Sequence, residues 1–288
     1  TNADLVVASL PVDTSHANRM GVLKVDIHSS ITDFHEKPQN DSILDNFRCP
    51  TSLLEELGHT QTDQPFYLAS MGIYLFKRQA LFDLLRKDPR EDFGKHLIPT
   101  KVAQGKVSAF LFDGYWEDIG TIKSFYEANL ALTATNPPFD LSSASAPIYT
   151  RPRFLPPSRL DGAKVKNSLI SDGCVIEPDV TIENSVIGVR CHIGRGAEIR
   201  NSIICGADYY ESEIHGPVSA ERPPMGIGRG TLVEGAIVDK NCRIGASCRV
   251  ANDLKMVESP DSEEAMVVDG IVVVPKDSVL RDGWRFTR

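Results

Sequence analysis

Aliphatic residues in the second half of this chain return every 17 positions, in steps of five, six and six. Val165, Ile182 and Ile199 make one row, Ile170, Ile187 and Ile204 a second, and Ile176 with Ile193 a third. The rule resumes after an interruption, at Ile227 and Ile244 and again at Val233 and Val250. A helix repeats near 3.6 residues and a half-buried strand at 2, so neither accounts for the spacing. A parallel β-helix does, because each coil carries three short strands with one inward aliphatic apiece, and coils stack at about 4.8 Å. Residues 207–226 break the period and include Gly216, Pro217, Pro223 and Pro224, so they are expected to leave the coil as a loop. A solenoid of this kind more readily joins subunits or holds a regulatory ligand than performs chemistry. The chemistry is therefore sought in the first half.

Length and composition set wide bounds. A chain of 288 residues fits about two domains, and 41% apolar with 24% charged residues is a globular balance. The formal charge of -8 argues against a nucleic-acid binder. No run approaches the roughly 18 apolar residues of a membrane span, and no basic-then-apolar leader opens the sequence, so the chain reads as soluble. The six cysteines (Cys49, Cys174, Cys191, Cys205, Cys242, Cys248) lack CxxC spacing and read as buried reduced thiols. The first residue is Thr1, and a strand is expected almost at once, which suggests a chain that starts within a domain.

In the first half, residues 5–10, 21–25, 31–34, 67–76 and 107–112 read as strands, and 81–85 and 122–132 carry helical spacing. That alternation predicts an α/β layer, without a complete phosphate-loop βαβ unit. Residues 133–160 hold six prolines and read as a connector of extended backbone. The expected organisation is a domain over 1–132, a linker over 133–160 and the β-helix over 161–288.

Four short segments carry the chemistry. Phe34-His35-Glu36-Lys37-Pro38 ends a strand with an acid, a base and a rigid proline. Leu68-Ala69-Ser70-Met71-Gly72-Ile73-Tyr74-Leu75-Phe76 is a strand in which Gly72 admits close approach to the backbone. Glu91-Asp92-Phe93-Gly94-Lys95-His96-Leu97-Ile98-Pro99 and Gly114-Tyr115-Trp116-Glu117-Asp118-Ile119-Gly120-Thr121 flank a further strand. In order and wording these segments resemble the sugar-nucleotide pyrophosphorylases, specifically the ADP-glucose pyrophosphorylases. Gly206-Ala207-Asp208-Tyr209-Tyr210-Glu211, Ile237-Val238-Asp239-Lys240-Asn241 and Gly270-Ile271-Val272-Val273-Val274-Pro275-Lys276 resemble the cyanobacterial and plant branch.

The resemblance implies a partial Rossmann-like nucleotidyltransferase domain with a mixed sheet, followed by a left-handed parallel β-helix. It implies a reaction in which glucose 1-phosphate attacks the α-phosphorus of ATP with Mg²⁺, giving ADP-glucose and pyrophosphate for glycogen or starch synthesis. Two polyanions must then be held together while charge on the transferred group is neutralised. By the resemblance, Lys37 contacts the sugar phosphate, Glu36 and Asp92 take sugar hydroxyls, and Ser70 and Gly72 line the sugar pocket. Trp116 packs beside Asp118, which matches a metal-binding aspartate. His96 departs from the acidic residue common at its position. Lys240 and Lys276 match lysines that bind the activator 3-phosphoglycerate and the inhibitor phosphate in plant-type relatives. They are expected to meet by a chain end folding back, with Arg243 and Arg249 on neighbouring strands of one coil. The family's Gly-rich, Arg-containing ATP loop and its other metal aspartate are absent from this sequence. The 288 residues alone are accordingly expected to be inactive.

Three alternatives accompany this reading. A sibling enzyme for GDP-mannose or UDP-sugars shares the general fold. An acetyltransferase needs a catalytic His on a longer solenoid, whereas His192 stands alone in its coil and reads as structural. A non-catalytic regulatory subunit retains effector sites without turnover. The resemblance also implies a homo- or heterotetramer, located in the cytoplasm or in a plastid.

Overall fold

The computed structural model describes residues 2–56, 64–213 and 222–286, arranged as two compact units, Thr1–Trp116 and Glu117–Arg288. The first holds a five-stranded mixed sheet in the order β3-β2-β4-β1-β5, with β1 Leu5–Val12, β2 Gly21–Val25, β3 Ile31–Glu36, β4 Tyr67–Phe76 and β5 Val107–Leu111. β1 runs parallel to β5 and antiparallel to β4, and β2 is antiparallel to both β3 and β4. Its strands are those read from the sequence, with β1 and β3 two residues longer and β5 one residue shorter. Leu5, Val7, Leu23, Phe34, Leu68 and Ile98 form the main core of this unit. The helix read at 81–85 spans Arg78–Lys87.

β4 is irregular where it matters. Val7 pairs with Tyr74 and Ser9 with Ser70, so β4 advances twice as far as β1 between these pairs and bulges at Met71, Gly72 and Ile73. After Arg78–Lys87 the chain makes a π-turn, Phe93–Leu97, that runs into the helix Ile98–Gln104. Such turns are rare and recur at functional positions.

The second unit is the expected β-helix. Its strands stack into three sheets, parallel except where Met266–Val268 pairs antiparallel with Ile271–Val274, and in them Val165, Ile182 and Ile199 pair in register, as do Ile170, Ile187 and Ile204. Ile176 and Ile193, Ile227 and Ile244, and Val233 and Val250 pair likewise. Ile182, Ile187, Ile193 and Ile199 are fully buried. Buried serines reinforce one corner: the Ser185 N–H donates to Ser168 Oγ and the Ser202 N–H to Ser185 Oγ, each at 3.1 Å.

The interruption behaves as the broken period predicts. The coil leaves its register after Ile203–Ile204 and regains it at Gly226–Ile227, with a short 3₁₀ turn at Glu211–Glu213 in between. Part of this expected loop, 214–221, lies outside the described residues, as does the stretch 57–63. Residues 133–158 contain no helix or strand. The helix Ile122–Ala131 packs Ile122, Phe125, Tyr126 and Leu130 against Ile203, Ile237 and Ile271 of the β-helix.

All six cysteines are free. Burial pushes the Cys191 thiol well above its ordinary value, as it does Cys242, to about 12. His192 is no lone residue, since its Nε2 lies 3.2 Å from Glu177 Oε1.

Candidate functional site

In the first unit, the end of β3, the bulge of β4 and the π-turn gather Glu36, Lys37, Ser70, Gly72 and Asp92, while among the described residues no contact places Trp116 with them. Glu36 is the last residue of β3 and is half-buried. Its carboxylate lies against two glycines: a Cβ on Gly94 would meet Glu36 Oε2 at 2.6 Å, and one on Gly21 would meet it at 2.8 Å. No larger residue fits at either position without moving the carboxylate. Burial raises the Glu36 pKa above the ordinary carboxyl value; Lys37 opposes that shift and Asp92 adds to it. An acid kept partly from water in this way is poised to accept a hydroxyl hydrogen.

Lys37 follows in left-handed backbone, φ 49, a costly conformation for a side-chain-bearing residue. Its N–H donates to Met20 O at 3.0 Å, and the side chain is exposed. The turn sends the chain away from the sheet immediately after Glu36, leaving acid and base side by side at the strand end.

Gly72 sits at the bulge with φ 71, and nothing lies within 4 Å of where its Cβ would be. The Gly72 N–H donates to Ser70 Oγ at 3.2 Å, and the Ser70 hydroxyl donates to Tyr74 Oη at 3.4 Å. Asp92 opens the π-turn, accepting from the Lys95 N–H at 2.9 Å. That bond is the main reason its pKa falls below the ordinary value.

Besides Gly21, three members of this cluster that lie within the quoted segments had no role assigned from the sequence. Tyr74 stacks on Phe93 with centroids 6.1 Å apart, walling the acidic pair, and Gly94 supplies the slot for Glu36. Burial raises the Tyr74 pKa, with Glu36 and Asp92 contributing. Only the wording of the second and third segments could have pointed to them.

Trp116 ends the first unit and Asp118 lies near the start of the second. Asp118 is exposed, and its Oδ1 accepts from the Gly120 N–H at 2.9 Å. It does not cap the following helix, a role taken by Thr121 in a reciprocal capping box with Ser124. No group of three or more His, Cys, Asp or Glu among the described residues could hold a metal ion.

In the second unit, Lys240 and Lys276 do converge, but by coil stacking and not by a chain end folding back. Val238 pairs with Val274, so Lys240 and Lys276 occupy matching positions in stacked turns, where the Asp277 N–H donates to Lys240 O at 2.9 Å. Both lysines grip Asp208: Lys240 Nζ lies 2.8 Å from Oδ1 and Lys276 Nζ 3.2 Å from Oδ2. Asn241 Nδ2 bridges Asp208 and Asp277, and the Asp208 N–H donates to Asn241 Oδ1 at 2.8 Å. Led by the Lys240 hydrogen bond, these contacts hold the Asp208 pKa at about 2.

The two arginines fare differently. Arg243 is buried and donates to Glu211 Oε2 at 3.0 Å and to Pro223 O at 2.8 Å. It lines a cavity of about 690 Å³ with Asn241, Asp277 and Trp284. Arg249 lies on a strand of another sheet and pairs with Asp253 through two nitrogens. Neighbouring strands of one coil belong to different faces, so their side chains diverge.

Comparison with known proteins matches a nucleotidyl transferase model over residues 1–135 and a GLGC left-handed parallel beta-helix domain model over 153–284. A relative, "Glucose-1-phosphate adenylyltransferase large subunit 1, chloroplastic/amyloplastic" of Zea mays, is 41% identical over 287 residues. The chain belongs to the ADP-glucose pyrophosphorylase family. The matched region is 98% of this chain and 55% of the maize protein, so the chain spans about half that relative's length. As an ADP-glucose pyrophosphorylase family member it pairs a nucleotidyltransferase fold with a β-helix whose left hand departs from the right-handed crossover rule.

Proposed function

We propose that this chain supplies the sugar-phosphate pocket and the regulatory β-helix of a glucose-1-phosphate adenylyltransferase, which joins glucose 1-phosphate to ATP and releases pyrophosphate. The observation that carries this is the Glu36 carboxylate, lodged against Gly21 and Gly94 beside Lys37 and Asp92. Lys37 binds the glucose 1-phosphate oxygens and holds the attacking group, while Glu36 and Asp92 orient the sugar through its hydroxyls. Ser70, Gly72 and Trp116 line the pocket. The bulge at Gly72 leaves open backbone for a flat sugar to approach.

Asp118 is the proposed Mg²⁺ ligand. An exposed carboxylate suits a cation that takes one or two protein oxygens and fills its shell with substrate phosphates and water. Bound there, the ion supplies neutralisation of phosphate charge during transfer. The full enzyme is a tetramer acting in glycogen or starch synthesis, in a plastid or the cytoplasm. 3-Phosphoglycerate and phosphate are its effectors at Lys240 and Lys276, with Arg243 supporting the adjoining wall.

Calorimetric titration of this chain with glucose 1-phosphate tests the sugar pocket. Lys37→Ala should weaken binding about 10- to 100-fold, the loss of one charge-assisted hydrogen bond; unchanged affinity refutes the assignment. Pyrophosphorolysis of ADP-glucose against UDP- and GDP-sugars by the enzyme containing this chain tests the base. The maize relative's designation as a large subunit favours a second reading, a regulatory subunit. Effector binding without turnover in that assay would establish it.

A further inference from the structure

We propose that Asp208 is a built-in competitor for the effector site: its carboxylate occupies the position between Lys240 and Lys276 that an effector anion takes, and the anion binds by displacing it. This rests on the reading of those lysines as the effector site. Each carboxylate oxygen faces a different ammonium, 2.8 Å from Lys240 Nζ and 3.2 Å from Lys276 Nζ. That is the arrangement a carboxylate or phosphate ligand would make with the same two cations.

The neighbourhood explains why a competitor matters. Asp239 and Asp277 also act on Lys276, so two lysines stand among three acids, and the turn attracts anions poorly while Asp208 stays in place. Displacement needs little rearrangement. The Asp208 backbone is held independently by Asn241 Oδ1, and its side chain is 38% exposed, so rotation about its own bonds frees both ammonium groups. Neutral sugars have nothing to offer in exchange. The ligand class is thereby narrowed to small anions bearing a carboxylate or phosphate group.

Asp208→Asn keeps the shape and removes the charge, and Asp208→Ala removes both. Titrated by calorimetry at low ionic strength with inorganic phosphate and with 3-phosphoglycerate, both variants should bind roughly three- to tenfold more tightly than the unmodified chain, as expected when exposed ion pairs no longer compete. Equal or weaker binding by both variants, with Lys276→Ala still weakening it, overturns the competitor and leaves the effector site standing. If Lys240→Ala and Lys276→Ala both leave anion binding unchanged, the reading of the lysines fails and the inference falls with it.

Discussion

Glu36 and Asp208 are carboxylates whose environments push them in opposite directions, and pH separates them. Burial raises the folded-state pKa of Glu36, so its ionised form opposes folding above that value, and the opposition fades as pH falls through it. Glu36→Gln should therefore raise Tm by about 1–3 °C at pH 7, with the gain vanishing toward pH 4. The same substitution should weaken glucose 1-phosphate binding by about tenfold. A lower Tm at pH 7 would show that the carboxylate stabilises the fold in net. Asp208 has the reverse sign: its pKa falls to about 2, so it stabilises above its ordinary range, and that contribution is lost as pH drops through about 2. Acid titration of thermal stability should show unmodified protein losing an increment between pH 4 and pH 2 that Asp208→Asn lacks. Gly94→Ala should cost sugar affinity through the displaced Glu36 carboxylate, a change visible in the titration with little effect on effector binding.

Rows of equivalent residues need not contribute equally along a solenoid. Ile199 is fully buried between coils, whereas Val165, at the foot of the same row, is 39% exposed. Ile199→Ala should cost about 2–5 kcal/mol in urea unfolding, and Val165→Ala under about 1 kcal/mol. Equal losses would show that Val165 is covered in solution. The rows were legible because one hydrophobic position per strand repeats without regard to anything distant. β1 to β5 were legible for a similar reason, since alternation reports which side of a strand is buried. The bulge in β4 and the π-turn at Phe93–Leu97 leave no period behind, so the places of Tyr74 and Gly94 around Glu36 were not. Lys240 and Lys276 could be paired by resemblance, yet the reason they meet lies in the pairing of Val238 with Val274. The hold of Asp208 on both lysines depends on a turn beyond the repeat, where spacing carries no information.

The two units bury separate cores, Leu5, Val7 and Leu68 among those of the first and Ile182, Ile193 and Ile199 among those of the second. Differential scanning calorimetry should accordingly resolve two transitions. Glucose 1-phosphate should raise one and inorganic phosphate the other, each by about 2.7 kcal/mol at a hundredfold excess over Kd. A single transition, raised by either ligand, would mean that the units unfold as one. Ile193 stacks on Ile227, Ile199 on Val233 and Ile204 on Val238, in each case across twice the usual 17 residues, and the coil continues as though nothing intervened. Between buried Ala207 and Met225 the chain thus carries a cassette that the 17-residue repeat does not require, tied to the coil where Glu211 and Pro223 hold buried Arg243. Asp208 belongs to that cassette while Lys240 and Lys276 belong to the coil, so a substitution in the cassette reaches the two lysines without altering the repeat that brings them together.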